Sequence, residues 1–163
     1  MKQDRFLMGI LIFIGVLVAA ALALFFIRND SQSYGAEDTP EGVIRNYALA
    51  LQNQDYPRAY GYLADKDGKP TYDAFHRVFL NGQFNPSTAL QVGSVQYINS
   101  NEASVSVTVL YAGSGPFSGS SSSTDTASLV QQGGAWKLIY LPYNYWSYDW
   151  FQPPQPTAEP VKP

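Results

Sequence analysis

The chain carries one histidine, His76, and no cysteine. Asp73 precedes His76 by three residues in a stretch with helical patterning, so both side chains fall on one face. A carboxylate beside an imidazole orients it as a general base. The same spacing arises on any polar helix face, where the histidine is simply solvated or caps the helix. The lack of cysteine removes disulfides, thiol nucleophiles, thiolate metal ligands and a lipoprotein anchor. The run Asp65-Lys66-Asp67-Gly68-Lys69-Pro70 opens like a calcium loop. The remaining ligands and the closing glutamate do not follow, so no metal is expected there. Residues 118–123 offer many hydroxyls, without the Gly-x-Ser-x-Gly elbow of a hydrolase nucleophile. Gly113-x-Gly115 precedes no helix and so lacks the N-terminus that cradles phosphate. No cofactor is implied.

Aromatic side chains are the richest resource, with 12 Tyr, 9 Phe and 3 Trp. Residues 140–151, YLPYNYWSYDWF, hold Tyr140, Tyr143, Tyr145, Trp146, Tyr148, Trp150 and Phe151. Exposed, such a segment would present amphipathic rings to a glycan, a peptide or lipid headgroups. Folded back, it would cover a sheet or plug a pocket. Large exposed apolar patches are uncommon on soluble domains, which favours folding back.

The element that positions everything else is residues 6–27, FLMGILIFIGVLVAAALALFFI, free of charge. As a helix it is about 33 Å long, enough to cross the hydrocarbon core of a bilayer. Ala21-Leu22-Ala23 resembles a signal cleavage site, but the apolar run outlasts an ordinary signal core and continues past that site. An uncleaved single-pass anchor is therefore expected. Lys2 and Arg5 before the span against Arg28 after it favour the N-terminus inside and the rest outside the cytoplasm. Gly15, Ala19 and Ala23 share one helix face, a spacing that lets two spans approach closely and self-associate.

Residues 31–163 hold 7 Lys+Arg against 11 Asp+Glu, a net of 7 − 11 = −4. That argues against nucleic acid and anionic lipid surfaces as partners, since both require basic patches. Residues 28–38 are polar and read as a spacer. Thr39-Pro40-Glu41 opens a helix over residues 40–53, with Val43, Ile44, Tyr47, Ala48 and Leu51 on its apolar stripe. Gly42 weakens its first turn. Asp55 caps a second helix with Tyr56, Ala59, Tyr60 and Leu63 on its buried side. Thr71 caps a third, with Tyr72, Phe75, Val78 and Phe79 on one face.

The period then changes. Residues 90–98 read as a strand, and Ala103, Val105, Val107, Val109 and Tyr111 alternate with Ser104, Ser106 and Thr108 in the next. Residues 113–125 read as a Gly/Ser-rich loop. Residues 126–132 and 135–141 form two further strands about the Gly133-Gly134 hairpin turn. Residues 152–163 are rich in proline and read as an extended tail. The expected class is α+β: three helices packed on one face of a curved four-stranded antiparallel sheet, preceded by one transmembrane helix.

This pattern resembles the nuclear-transport-factor-2-like superfamily, in particular its small membrane-anchored bacterial domains. The resemblance is carried by Thr39-Pro40-Glu41 with Val43, Tyr47, Ala50 and Leu51, by Asp55-Tyr56 with Ala59, Tyr60 and Leu63, by the Ala103-Val105-Val107 strand, and by Leu129-Val130 leading through Gly133-Gly134 to Trp136-Lys137-Leu138. It covers residues 37–142. It implies a cone-shaped roll with a pocket lined by Tyr47, Tyr60, Phe75, Phe79, Trp136, Tyr140, Trp146 and Trp150. No acid–base motif of the superfamily's enzymes is matched. The expected function is therefore non-catalytic binding of an apolar small ligand or an envelope protein. An isomerase or dehydratase using the cone, or a scaffold, is the alternative.

Overall fold

The structure is a computed structural model that describes residues 3–28, 33–82, 88–112 and 119–152. It divides into two units, Met1–Ser33 and Tyr34–Pro163. The first is helix α1, Gln3–Arg28, whose residues Leu7–Leu24 are all exposed. By length and composition α1 can cross a membrane, a test that a signal sequence also passes.

In the second unit, helices α2 (Pro40–Gln52), α3 (Tyr56–Gly61) and α4 (Tyr72–Leu80) precede strands β1 (Thr88–Asn99), β2 (Glu102–Tyr111), β3 (Ser121–Gln132) and β4 (Ala135–Tyr140). The strands form one antiparallel meander in the order β1-β2-β3-β4. The α+β class read from the sequence holds. Each helix starts where a short polar side chain satisfies an orphan backbone N–H. Thr39 accepts from Gly42, Asp55 from Arg58 and Thr71 from Ala74. The Gly133-Gly134 turn closes the β3–β4 hairpin with both φ positive, +59° and +83°, which glycine adopts without steric cost.

The alternating apolar residues of β2 (Ala103, Val105, Val107 and Val109) are buried and join Val43, Ile44, Tyr47 and Leu51 of α2 in one core. Register slips between Val92 and Val95, where Gly93 lies close to the Ser106 carbonyl, and such a bulge bends a strand. Beyond β4 the chain makes a 3-10 turn, Tyr143–Tyr145, and re-enters the core.

Two expectations are corrected. Residues 121–125, read as loop, are strand, paired from Tyr111↔Ser121 to Val107↔Asp125. Serine and threonine tolerate strand geometry, and the unspent backbone groups of β2 supply the ladder. The other correction concerns the spacer, whose residues 34–37 are tied to the domain. The Asn46 side chain accepts from Gly35 N–H and donates to Gly35 C=O, and Asn46 itself is fully buried. Residues 29–32, the rest of the predicted loop at 113–118, and the tail from 153 onward lie outside the described residues.

Candidate functional site

The aromatic segment after β4 divides in two. Tyr145, Trp146 and Trp150 are buried, while Tyr143 and Tyr148 are exposed and stack on each other at 5.5 Å. Trp150 lies 4.9 Å from Trp146 and 5.3 Å from Phe75, centroid to centroid, and Trp146 lies 6.3 Å from Tyr47. Phe79 completes the cluster at 6.0 Å from Trp150. The segment thus wedges between α2 and α4, and each buried ring contributes a large apolar area. Phe151 finishes the wedge: its N–H donates to the Gly68 carbonyl at 2.8 Å.

The hydroxyls in this interior are structural. Tyr47 donates to the Tyr145 carbonyl at 2.7 Å, and Tyr145 donates to the Thr88 carbonyl at 3.3 Å. Burial pushes the Tyr47 hydroxyl well above its ordinary pKa and raises that of Tyr145 as well. Both therefore stay protonated and serve as donors.

Of the residues expected to line a ligand cone, Tyr47, Phe75, Phe79, Trp146 and Trp150 are core residues packed among themselves, and Trp136 is a buried residue whose ring meets Tyr97 at 5.9 Å. Tyr60 is half-buried, with its hydroxyl on the Pro70 carbonyl and its ring against Phe75. Tyr140 is half-buried, and its hydroxyl lies 3.3 Å from Asp125 Oδ2. Burial first, and then the Asp125 charge, raise the Tyr140 pKa. His76 packs its ring on Tyr56 at 4.6 Å and on Tyr72 at 5.7 Å, and among the described residues no hydrogen bond joins it to Asp73. In the Asp65 loop, the Asp65 carboxylate pairs with Lys69 at 3.1 Å.

Among the described residues a cavity lies elsewhere. A cleft of about 290 Å³ is lined by Glu37, Val43, Arg58, Gly61, Tyr62, Ala135, Trp136 and Lys137. Only Trp136 among the predicted ligand residues touches it. Its polar wall is a closed triad. Glu37 Oε1 accepts from Arg58 Nη2 at 2.7 Å and from the Tyr62 hydroxyl at 2.6 Å, while Arg58 Nε donates to the same hydroxyl at 3.0 Å. Arg58 also lies over the Tyr34 ring at 3.5 Å. The Tyr62 hydroxyl, and then Arg58, hold the Glu37 carboxyl below its usual range. Burial, and then the Glu37 bond, push Tyr62 up to about 12. Across the cleft Lys137 Nζ donates to the Gly61 carbonyl at 2.6 Å. The chemistry on offer is a cation-bordered polar cleft with an apolar floor, already latched by the chain's own carboxylate.

Sequence reasoning missed these residues. Glu37 sits in a stretch that composition reads as spacer, and Arg58, Tyr62 and Lys137 are ordinary surface types in a helix, a cap and a strand. Arg58 and Tyr62 are four positions apart, but Glu37 reaches them over 21 and 25 positions, for which no local signal exists.

No protein-family model and no curated protein matches the chain. Among solved structures, a SEC-C motif containing protein from Rhodopseudomonas palustris is similar with a TM-score of 0.47 and 13% identity, over 64% of this chain and 77% of that one. A ketosteroid isomerase-like protein from Erwinia carotovora atroseptica is similar with a TM-score of 0.42 and 16% identity, over 60% of this chain and 86% of that one. These likenesses assign neither a family nor an activity to this chain.

Proposed function

We propose that this chain is a single-pass membrane protein whose domain lies outside the cytoplasm and binds an envelope protein without catalysis. The span is α1, and the excess of Lys2 and Arg5 over Arg28 favours the N-terminus inside. The order of three helices followed by a four-stranded meander fits the nuclear-transport-factor-2-like roll that the sequence resembles.

One observation carries the non-catalytic reading: Trp146 and Trp150 fill the space between α2 and α4, against Tyr47, Phe75 and Phe79. A substrate or an apolar ligand in that space would have to displace them. The buried hydroxyls there are spent on backbone carbonyls, so an isomerase or dehydratase reading finds no acid–base pair among the described side chains of this interior.

Two measurements test the proposal. In the full chain reconstituted in nanodiscs, 2-naphthol is expected to cause no saturable change in tryptophan emission beyond that of empty nanodiscs. Saturable one-to-one binding that shifts the emission would restore the ligand cone. Because the chain has no cysteine, a single Ser120→Cys can report topology. A membrane-impermeant maleimide is expected to label it in intact bacteria, and labelling that appears only after lysis would overturn the orientation.

A further inference from the structure

β3 spans Ser121–Gln132, but β4 pairs with it only from Ser128 to Gln132. At Leu141 the chain leaves the sheet for the aromatic wedge. Residues 121–127 therefore have β2 on one side and, among the described residues, no strand on the other. That open edge is about 20 Å long at strand rise.

Side-chain geometry fixes which backbone groups face the gap. Thr108 and Thr124 are Cα partners, and their hydroxyl oxygens lie 3.0 Å apart. So close an approach belongs to the non-hydrogen-bonded pairs of an antiparallel ladder, in which both residues turn N–H and C=O away from each other. Thr126 agrees with this parity, since its N–H is turned to the Asp125 carboxylate at 2.7 Å instead of to β2. By the same alternation Ser122 and Thr124 present N–H and C=O to the open side. Residues 121–126 are all exposed.

Edge strands are ordinarily blunted by charged side chains, above all lysine or an inward-pointing charge, by proline, by a bulge or by short length. Residues 121–127, SSSTDTA, hold no lysine and no proline, and the β2–β3 register runs unbroken from Glu102↔Val130 to Tyr111↔Ser121. The one blunting charge is the Asp125 carboxylate, on the face of its Cα partner Val107; once a partner cation offsets it, an edge of this length is a template for strand addition. We infer that residues 121–127 are the docking site of the proposed protein partner, which joins the sheet as an extended segment carrying a cationic side chain opposite Asp125.

Charge decides between that partner and a second copy. Asp125 is the single charge between Gly119 and Gln132. If two copies paired antiparallel over residues 121–127, Asp125 would face Ser123 of the other copy. The two carboxylates would then be diagonal neighbours on one face, which is unfavourable. A lysine or arginine on a different chain meets the same carboxylate favourably. The inference rests on the protein-binding reading above and names how that binding is made.

The test uses the full chain in nanodiscs and a fluorescein-labelled synthetic peptide of alternating threonine and valine with one central lysine. Saturable binding is expected. It should weaken at least about tenfold when alternate amides of the peptide are N-methylated, which keeps the side chains and removes the ladder donors. Thr124→Pro should abolish it, with circular dichroism as the check on folding; the N-methylated arm needs no variant. Absence of saturable binding, or equal binding of the N-methylated peptide, would overturn the inference. So would concentration-dependent dimerisation that Thr124→Pro abolishes, since the edge would then belong to a second copy. Peptide binding together with saturable 2-naphthol binding would leave the edge site standing and restore the ligand cone beside it. Failure of both would remove the edge site and leave the filled interior standing.

Discussion

Glu37 is half-exposed, yet three bonds converge on the Glu37–Arg58–Tyr62 triad and its two partners both donate to one carboxylate oxygen. Because the Glu37 carboxyl is held below the ordinary 4.5, the unfolded chain takes up the proton first as pH falls. Its contribution to stability is therefore whole above that value and is lost as pH drops through the folded value. Tyr62 works at the other end of the scale. Its hydroxyl ionises near 10 in the unfolded chain and only about 12 in the folded one, so its contribution is whole below the first value and is lost as pH climbs to the second. Water screens the pair, which keeps the effect small. Glu37→Gln is expected to lower the melting temperature at about pH 7 by on the order of 4 °C or less. Variant and wild type should converge once the pH has dropped below the folded pKa of Glu37, where both side chains are neutral. Melting curves followed into acid check this; a gap that persists there would assign the effect to shape instead of charge.

At the scale of elements, the first turn of α2 shows how a contact overrides propensity. Glycine costs a helix interior about 1 kcal/mol relative to alanine. At Gly42, however, a Cβ would clash with the Ala36 carbonyl oxygen, so the strap of residues 34–38 can lie close over α2 only if that position has no side chain. Gly42→Ala is expected to destabilise the domain in spite of the propensity gain, and to lift the strap. Hydrogen exchange at the Gly35 amide, now bonded to Asn46, should accelerate by about tenfold or more. A variant that melts higher with Gly35 still protected would refute this. The elements themselves were largely legible in the sequence, because their causes are local: the caps at Thr39, Asp55 and Thr71, the α2 stripe from Val43 to Leu51, the alternation in β2, and the Gly133-Gly134 turn. What stayed hidden has non-local causes. Residues 121–125 are strand because β2 lies beside them, and the cleft has its carboxylate wall because Glu37 reaches Arg58 and Tyr62 from the strap. The aromatic segment was legible as one that folds back, but not in which rings face inward, since Tyr145 and Tyr143 differ only by their place in a 3-10 turn.

For the whole molecule, the question is where the folded domain begins. Helix-start signals alone put the boundary at Thr39. The contacts put it at Tyr34, whose ring lies beneath Arg58 and whose hydroxyl reaches Asp55 at 3.3 Å. Removing the strap would strip Asn46, fully buried, of both its Gly35 bonds, and would take Glu37 from the triad. A buried carboxamide that loses its partners costs about 1–3 kcal/mol. Deleting residues 34–38 from the full chain should therefore lower the domain's melting temperature by on the order of 5–15 °C. Replacing the same residues by a glycine-serine stretch of equal length should cost less, since the backbone groups at position 35 remain for Asn46 and only the Tyr34 and Glu37 side-chain contacts are lost. If the deletion melted with the wild type, the strap would be a spacer after all, and its bonds to Asn46 and Arg58 would carry no stability.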